Sequence, residues 1–140
     1  TEFIDTILTY CPVGTTDQQV EAAWQSMLCD IPEERLDILR MLKAKWNFRL
    51  ILLSNTNELH WQNIDRRYAL RSLFDEVYLS YELHLAKPSV DIFRHIDAAA
   101  NVNPIRTIFV DDLSVNREVA ENSVGWRTLS SLEMMTGMYF

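Results

Sequence analysis

The sequence has few of the residues that stabilise small secreted domains or bind zinc. Its 140 residues include only two cysteines and three histidines. Cys11 and Cys29 show neither a CxxC spacing nor a nearby histidine partner that would indicate a zinc site. We therefore expect both to be free thiols in a reducing compartment, the cytoplasm, with a disulfide as the alternative.

Basic residues and long hydrophobic runs are also scarce. The chain has 13 Lys and Arg against 20 Asp and Glu, a net charge of −7. Without a basic stripe it cannot displace the counterions of nucleic acid, which argues against that class of partner. The longest apolar run, at residues 50–53, is too short to span a bilayer, and we find no secretory signal. The 48% hydrophobic content is that of an ordinary globular domain.

Two hydrophobic patterns alternate from Pro32 onward. Nearly continuous apolar runs predict buried strands, and stripes spaced three or four residues apart predict amphipathic helices. The predicted strands are 48–55, 76–80, 107–111 and 126–129. The predicted helices are 32–47, 61–70, one that begins after Ser89 and ends near residue 101, and one between Ser114 and Gly125. This order predicts an α/β fold with a Rossmann-like parallel sheet and helices on both faces.

The first thirty residues follow a different pattern. They predict two helices, 3–10 and 16–28, separated by the turn "CPVG", with no strand between them. Thr16 or Asp17 is the expected N-cap of the second helix, as Ser89 and Ser114 are for later ones. The segment is therefore expected to be an all-helical attachment to the α/β part.

Polar side chains follow three of the predicted strands. Ser54 and Asn55 follow the first strand, Lys87 lies after the second, and Asp111 and Asp112 end the third. The carboxyl ends of parallel strands meet at one edge of the sheet, so we expect these residues to lie together. Taken singly they have plainer explanations: a turn or cap for the first two, a solvated lysine for the third. The adjacent carboxylates repel each other, and capping explains only one of them.

Together these positions meet the needs of phosphoryl chemistry. A phosphate dianion is bound by a hydroxyl, by backbone N–H groups at a helix start and by a positive charge, which Ser54, Asn55 and Lys87 can supply. Mg²⁺ prefers carboxylate oxygens and retains several waters. The paired Asp111 and Asp112 are therefore interpreted as a metal anchor.

The strings "LILLSNTN", "AKP" and "TIFVDDLSVNREVA", in this order and spacing, resemble motifs two, three and four of the haloacid dehalogenase superfamily. The resemblance is strongest to bacterial sugar-phosphate phosphatases with a small helical cap, and it covers about residues 32–129. It implies a haloacid dehalogenase-like core over residues 31–140 and part of a helical cap over residues 1–30.

The resemblance also implies roles for individual residues. Ser54 would donate a hydrogen bond to the transferring phosphoryl group, and Asn55 would add its backbone N–H. Lys87 would neutralise charge on the phosphate and the nucleophile. Asp112 would bind Mg²⁺ directly and Asp111 directly or through water. Asn116 would support the loop or Lys87.

The family's first motif, DxDx[TV], is absent from these 140 residues. Its first aspartate is the nucleophile, and its second is the general acid and base. The nearest string, "FIDTILT", has Ile7 where the second aspartate belongs, and no strand precedes Asp5, so we reject it. The chain also begins at Thr1 without an initiator methionine, so we expect that the amino end was removed or left out. We expect the chain alone to be inactive.

The missing motif also removes a strand, which in the family lies between the strands at 50–54 and 107–111. Each unpaired buried backbone group costs about 1 to 3 kcal/mol. A lost strand leaves several such groups on each side of the gap, so their total cost rivals a domain's stability of about 5 to 15 kcal/mol. We expect the gap to be filled by a cleaved amino-terminal peptide, by a disordered segment of the same protein, or by a strand from another copy.

The favoured hypothesis is thus most of a Mg²⁺-dependent phosphatase acting on small phosphorylated metabolites such as sugar phosphates. Two alternatives remain. One is a metal-free haloacid dehalogenase, which the two adjacent carboxylates disfavour. The other is a truncated or degenerate module that binds a ligand or a partner without turnover.

Overall fold

The computed structural model describes residues 2–139, and Thr1 and Phe140 lie outside the described residues. The helices are Glu2–Leu8 (α1), Asp17–Gln25 (α2), Glu33–Trp46 (α3), Glu58–Tyr68 (α4), Leu70–Leu73 (α5), Ser80–Leu83 (α6), Val90–Ala99 (α7), Ser114–Val124 (α8) and Thr136–Tyr139 (α9). The strands are Ile51–Ser54 (β1), Glu76–Leu79 (β2), Ile108–Val110 (β3) and Arg127–Leu129 (β4). Short 3₁₀ helices cover Pro104–Arg106 and Leu132–Met135.

The four strands form two parallel pairs. Strand β1 pairs with β2, with Leu52 opposite Val77. Strand β3 pairs with β4, with Phe109 opposite Thr128. Helices α4 and α5 connect the first pair, and α8 connects the second. The predicted α/β class with parallel strands is confirmed.

Helices cover both faces of the β1–β2 pair. Successive strand residues point to opposite sides, so a continuously apolar strand has side chains to bury on each face. On one side, Ile51 and Leu53 pack against a buried cluster from α7 and the residue after it, α8, and the residue before β4 (Ile92, Phe93, Ile96, Ala100, Ala120 and Trp126). On the other side, Leu52 packs against Leu36 and Trp61, from α3 and α4. None of the described helices is long and apolar enough to cross a membrane.

The inner edges of the two strand pairs are not joined to each other. Within residues 2–139, β1 has a strand partner only in β2, and β3 only in β4. A cleft of about 1290 Å³ is lined by residues 50–53 and 107–110 and by apolar side chains of α3 and of the 3₁₀ helix near the carboxyl end. The two strands that the sequence analysis expected to be separated are therefore separate.

The structure differs from the sequence predictions at several element boundaries and caps. The predicted strand 48–55 is regular only over Ile51–Ser54. Leu50 donates its N–H to Asp75 Oδ2 at 2.8 Å instead of to a neighbouring strand, so the apolar lead-in is irregular. Ser114 is the first residue of α8 and not its N-cap, which is Leu113. The Asp111 carboxylate accepts the N–H of Leu113, so it holds the residue before the helix, and no described side chain caps α8 itself.

Other predictions hold at the helix ends. Thr16 caps α2 in a capping box with Gln19, and Ser89 caps α7. Gly125 ends α8 at φ 72°, a left-handed conformation that glycine adopts without strain. The predicted helix 61–70 instead begins at Glu58, because Asn57 accepts the N–H of His60 and caps it, and it ends at Tyr68.

The two amino-terminal helices pack against α4. Gln25 Nε2 donates to the carbonyl of Leu59 at 3.0 Å, and the Trp24 indole stacks on the His60 ring with centroids 5.2 Å apart. Cys11 and Cys29 are free, as expected. The helical segment before α3 therefore lies next to the loop that follows β1.

Phe93 is fully buried between Phe109 and Trp126, with ring centroids 5.5 and 6.0 Å away. We predict that Phe93→Ala lowers the free energy of unfolding by about 3 to 5 kcal/mol, because it leaves a cavity where α7 meets β3. Urea unfolding measures this change. The control is Val13→Ala at a fully exposed position, expected within about 0.5 kcal/mol of wild type. Equal losses for both variants would contradict this packing.

Candidate active site

The loops after β1 and after α6 are joined by Asn55 and Lys87. Asn55 Nδ2 donates to the Lys87 carbonyl at 2.8 Å, and the Lys87 backbone N–H donates to Asn55 Oδ1 at 2.9 Å. This reciprocal pair uses both the nitrogen and the oxygen of the Asn55 side-chain amide. It fixes the backbone of Lys87 beside the carboxyl end of β1, where Ser54 is the last strand residue.

The Lys87 ammonium is buried between the two strand pairs. Nζ donates to the Leu53 carbonyl at 3.0 Å and to Asp111 Oδ2 at 2.7 Å, and it lies 5.6 Å from the centre of the Phe109 ring. The side chains of the ion pair are 11% and 5% exposed. An ammonium has three donors, so after these two hydrogen bonds one N–H is left for an oxygen of a ligand.

Asp111 is held on both carboxylate oxygens. Oδ2 accepts from Lys87, and Oδ1 accepts from Asn116 Nδ2 at 2.9 Å and from the Leu113 N–H at 3.0 Å. Burial raises the pKa of Asp111, but the hydrogen bonds from Lys87, Asn116 and Leu113, with the charge of Lys87, outweigh burial and hold the pKa below its usual value. The carboxylate is therefore charged and fixed in one orientation.

Asp112 differs from its neighbour. Its side chain is exposed, and within residues 2–139 its carboxylate has no hydrogen-bond or ion-pair partner. Asp112, Lys87 and Asp111 line the same cleft. The more accessible of the two carboxylates is therefore Asp112.

The carboxylate oxygens of Asp111 and Asp112 suit a hard divalent cation, but the described residues supply few such ligands. Among residues 2–139, no group of three or more His, Cys, Asp or Glu side chains could enclose a metal. Mg²⁺ typically binds one or two carboxylates and keeps several waters. The two aspartates fit such a partial site, which would need further oxygen ligands.

Most of the predicted site residues come together. Asn55, Lys87, Asp111 and Asn116 form one continuous hydrogen-bonded network. Ser54 is adjacent to that network in sequence, and within the described part of the chain its hydroxyl makes no hydrogen bond to it.

Sequence reasoning missed two contributors. Ser80 Oγ accepts the N–H of Thr56 and donates to the carbonyl of Thr56, both at 2.9 Å, and so closes the loop after β1. Arg117 Nη1 donates to the carbonyls of Asp111 and Asp112. A lone arginine one turn into a helix that follows two aspartates was the available signal.

Comparison with known proteins gives relatives of one kind. The chain is 29% identical over 133 residues to a D-ribitol-5-phosphate phosphatase of Bacteroides thetaiotaomicron, a match over 84% of this chain and 64% of the relative. A HAD family enzyme of the same organism, solved with magnesium and inorganic phosphate as an aspartate-to-alanine mutant, is 36% identical with a TM-score of 0.83. That match covers 92% of this chain and 65% of the enzyme.

A third relative extends the comparison to another organism. A protein from Porphyromonas gingivalis, described as a predicted HAD-like family hydrolase, is 30% identical, with a TM-score of 0.80 and coverage of 98% of this chain and 71% of that one. The chain thus spans about two thirds of the length of the first two relatives. Residues 8–122 match the haloacid dehalogenase-like hydrolase family. The chain belongs to the haloacid dehalogenase-like hydrolases.

Proposed function

We propose that this chain is the larger part of a Mg²⁺-dependent phosphatase that hydrolyses phosphate monoesters of small metabolites. The observation that carries the proposal is the convergence of Asn55, Lys87 and Asp111 at the carboxyl ends of β1 and β3, with Asp112 accessible in the same cleft. The named relative and the neighbour solved with magnesium and phosphate support it.

Each residue has a defined task in this proposal. The Ser54 hydroxyl and the Asn55 backbone N–H donate to phosphoryl oxygens, and the remaining N–H of Lys87 donates to another. Asp112 would hold Mg²⁺ directly. Asp111, with both oxygens already accepting hydrogen bonds, would assist through water. The cation, when bound, neutralises phosphoryl charge as a Lewis acid.

The nucleophile is proposed to come from a segment outside these 140 residues. Its first aspartate would attack phosphorus as the bond to the leaving alkoxide breaks, and its second aspartate would give that alkoxide a proton. The second aspartate would then take a proton from the water that hydrolyses the aspartyl phosphate to carboxylate and inorganic phosphate. The segment would lie as a strand between β1 and β3. The unpaired strand edges, the apolar cleft and the small number of carboxylates support this location. A cleaved peptide, another part of the protein or a second copy could supply it.

Helices α1 and α2 are proposed to be part of a cap, covering residues 1–30, on a core of residues 31–140. They pack against α4 next to the loop that follows β1, on which Asn55 lies. A cap in this position would contact the leaving group of the substrate. The relative's name suggests a sugar or polyol phosphate.

A second candidate function is a non-catalytic module that binds a phosphorylated ligand. The absence, within residues 2–139, of a third metal-binding side chain favours it. The dehalogenase alternative has less support, because the named relative is a phosphatase and a similar enzyme was solved with magnesium and inorganic phosphate. The activity experiments below discriminate among the three.

The first experiment compares the 140-residue chain with the protein expressed from its complete coding sequence. We predict that only the longer protein releases phosphate from ribitol 5-phosphate and related sugar phosphates, because the chain has no nucleophile. Intact-mass analysis confirms which segment each sample contains. Turnover by the 140-residue chain, or none by a longer protein that carries a DxDx[TV] segment, would contradict the proposal. Chloride release from a haloacid would favour the dehalogenase.

The metal role is tested by Asp112→Asn in the longer protein. We predict that phosphatase kcat/KM falls at least about 100-fold, since the variant loses the open anionic ligand, and that excess Mg²⁺ restores part of it. Glu118→Gln, which neutralises an exposed carboxylate of α8, is the matched control and should keep full activity. If Asp112→Asn turns over normally and activity is indifferent to chelation of Mg²⁺, the metal role is wrong.

The buried ion pair predicts how stability depends on pH. Because the pKa of Asp111 is lower in the folded protein than in the unfolded chain, the unfolded chain binds the proton first as pH falls. The contribution of Asp111 is complete above about pH 5 and is lost below about pH 4, as pH falls through the folded-state pKa. Asp111→Asn should remove this part of the acid dependence. At neutral pH it should destabilise by about 3 to 5 kcal/mol, because Lys87 stays buried without its partner.

Urea unfolding of wild type and variant between about pH 3 and pH 7 measures both effects. The double variant Lys87→Met with Asp111→Asn is the control, because it removes the unpaired charge and should recover part of the loss. An acid dependence that is identical in wild type and Asp111→Asn would show that this carboxylate does not contribute.

A further inference from the structure

Arg117, the fourth residue of α8, makes contacts for which the proposed mechanism gives no role. Its Nη1 donates to the Asp111 carbonyl at 2.7 Å and to the Asp112 carbonyl at 2.9 Å. Within residues 2–139, no backbone N–H donates to either of these oxygens. A single guanidinium nitrogen therefore satisfies two successive carbonyls of the turn that carries both carboxylates.

The two carboxylates depend on this turn to different degrees. Asp111 is fixed independently, because its side chain binds Lys87 and Asn116 and its N–H donates to the carbonyl of Leu129 at 3.1 Å. The Asp112 carboxylate has no partner within the described residues. The backbone therefore sets the direction from which this side chain starts. The Arg117 side chain holds that backbone from the helix side, next to the N–H that Arg117 donates to the Leu113 carbonyl at 3.3 Å.

We propose that Arg117 is a positioning residue, which orders the Asp111–Leu113 turn so that the Asp112 carboxylate points into the cleft toward the cation site. This inference rests on the proposed function, in which Asp112 holds Mg²⁺. Arg117 itself contacts neither the substrate nor the metal. It acts on the backbone that carries the ligand.

The sign of the effect separates positioning from simple electrostatics. A guanidinium on the backbone carbonyls of the two aspartates repels a cation bound to them, so removal of its charge alone would strengthen Mg²⁺ binding. Loss of the positioning contact weakens binding, because a ligand that is free to turn away must be ordered when the metal binds. The two explanations therefore predict opposite changes in affinity.

The experiment measures the Mg²⁺ dissociation constant calorimetrically for the protein expressed from its complete coding sequence and for three variants. R117M should weaken Mg²⁺ binding about tenfold, as loss of a group that supports a metal ligand typically does. R117K should bind between R117M and wild type, because both hydrogen bonds come from one nitrogen and an ammonium can donate more than once. R94M removes the same charge from an exposed position on α7 and should match wild type.

A second measurement does not depend on Mg²⁺. Exchange of the Leu113 amide, which donates to Asp111 Oδ1, reports order in the turn. It should be about tenfold faster or more in R117M than in R94M, with unfolding midpoints of the variants compared to detect global destabilisation. The inference is overturned if R117M binds Mg²⁺ as tightly as wild type or tighter, if R117K is no better than R117M, or if Leu113 exchange is unchanged. If wild type itself binds no Mg²⁺, the proposed function fails instead, and the exchange rate alone decides whether Arg117 orders the turn.

Discussion

The buried contact between Lys87 and Asp111 is the interaction on which the site depends. The β1–β2 and β3–β4 pairs share no backbone ladder within residues 2–139. The lysine ammonium binds the Leu53 carbonyl of one pair and the carboxylate that follows the other. Burial of two charges is costly, and the additional hydrogen bond from Asn116 helps to offset that cost. The contact that links the two strand pairs thus also places the Lys87 ammonium and the Asp111 carboxylate at one end of the cleft.

The rigidity of this end comes from the helices behind it. Phe93 of α7 meets Phe109 of β3, and Trp126 packs on both while donating its indole N–H to Asp97. These contacts hold β3 against α7, although among the described strands only β4 pairs with β3. Fixed dipoles and charges can stabilise a developing phosphoryl charge only if they do not reorganise during the reaction. The apolar core and the polar site therefore serve the same chemistry.

The sequence was sufficient for the parts of the site that follow from topology. Residues after parallel strands share one edge of a sheet, so Asn55, Lys87 and Asp111 could be grouped before the structure was known. Their individual bonds could not be predicted, because partners 24 or 32 residues apart meet only in the folded chain. Hydrophobicity alone could not predict where the first strand begins, since the hydrogen bond from the Leu50 N–H to Asp75 depends on a tertiary contact. The sequence did not indicate Arg117 as a site residue, because a charged residue near a helix start is usually part of a solvent-exposed helix face.

The central claim is that a divalent cation and a phosphoryl group meet between Asp112 and Lys87. Its most direct test is anomalous diffraction from crystals of the protein expressed from its complete coding sequence, grown with Mn²⁺ in place of Mg²⁺ and with inorganic phosphate. The account predicts one strong manganese peak at about 2 Å from a carboxylate oxygen of Asp112, with a phosphate oxygen within hydrogen-bonding distance of Lys87 Nζ. A manganese peak elsewhere, or a phosphate remote from the lysine, would contradict it.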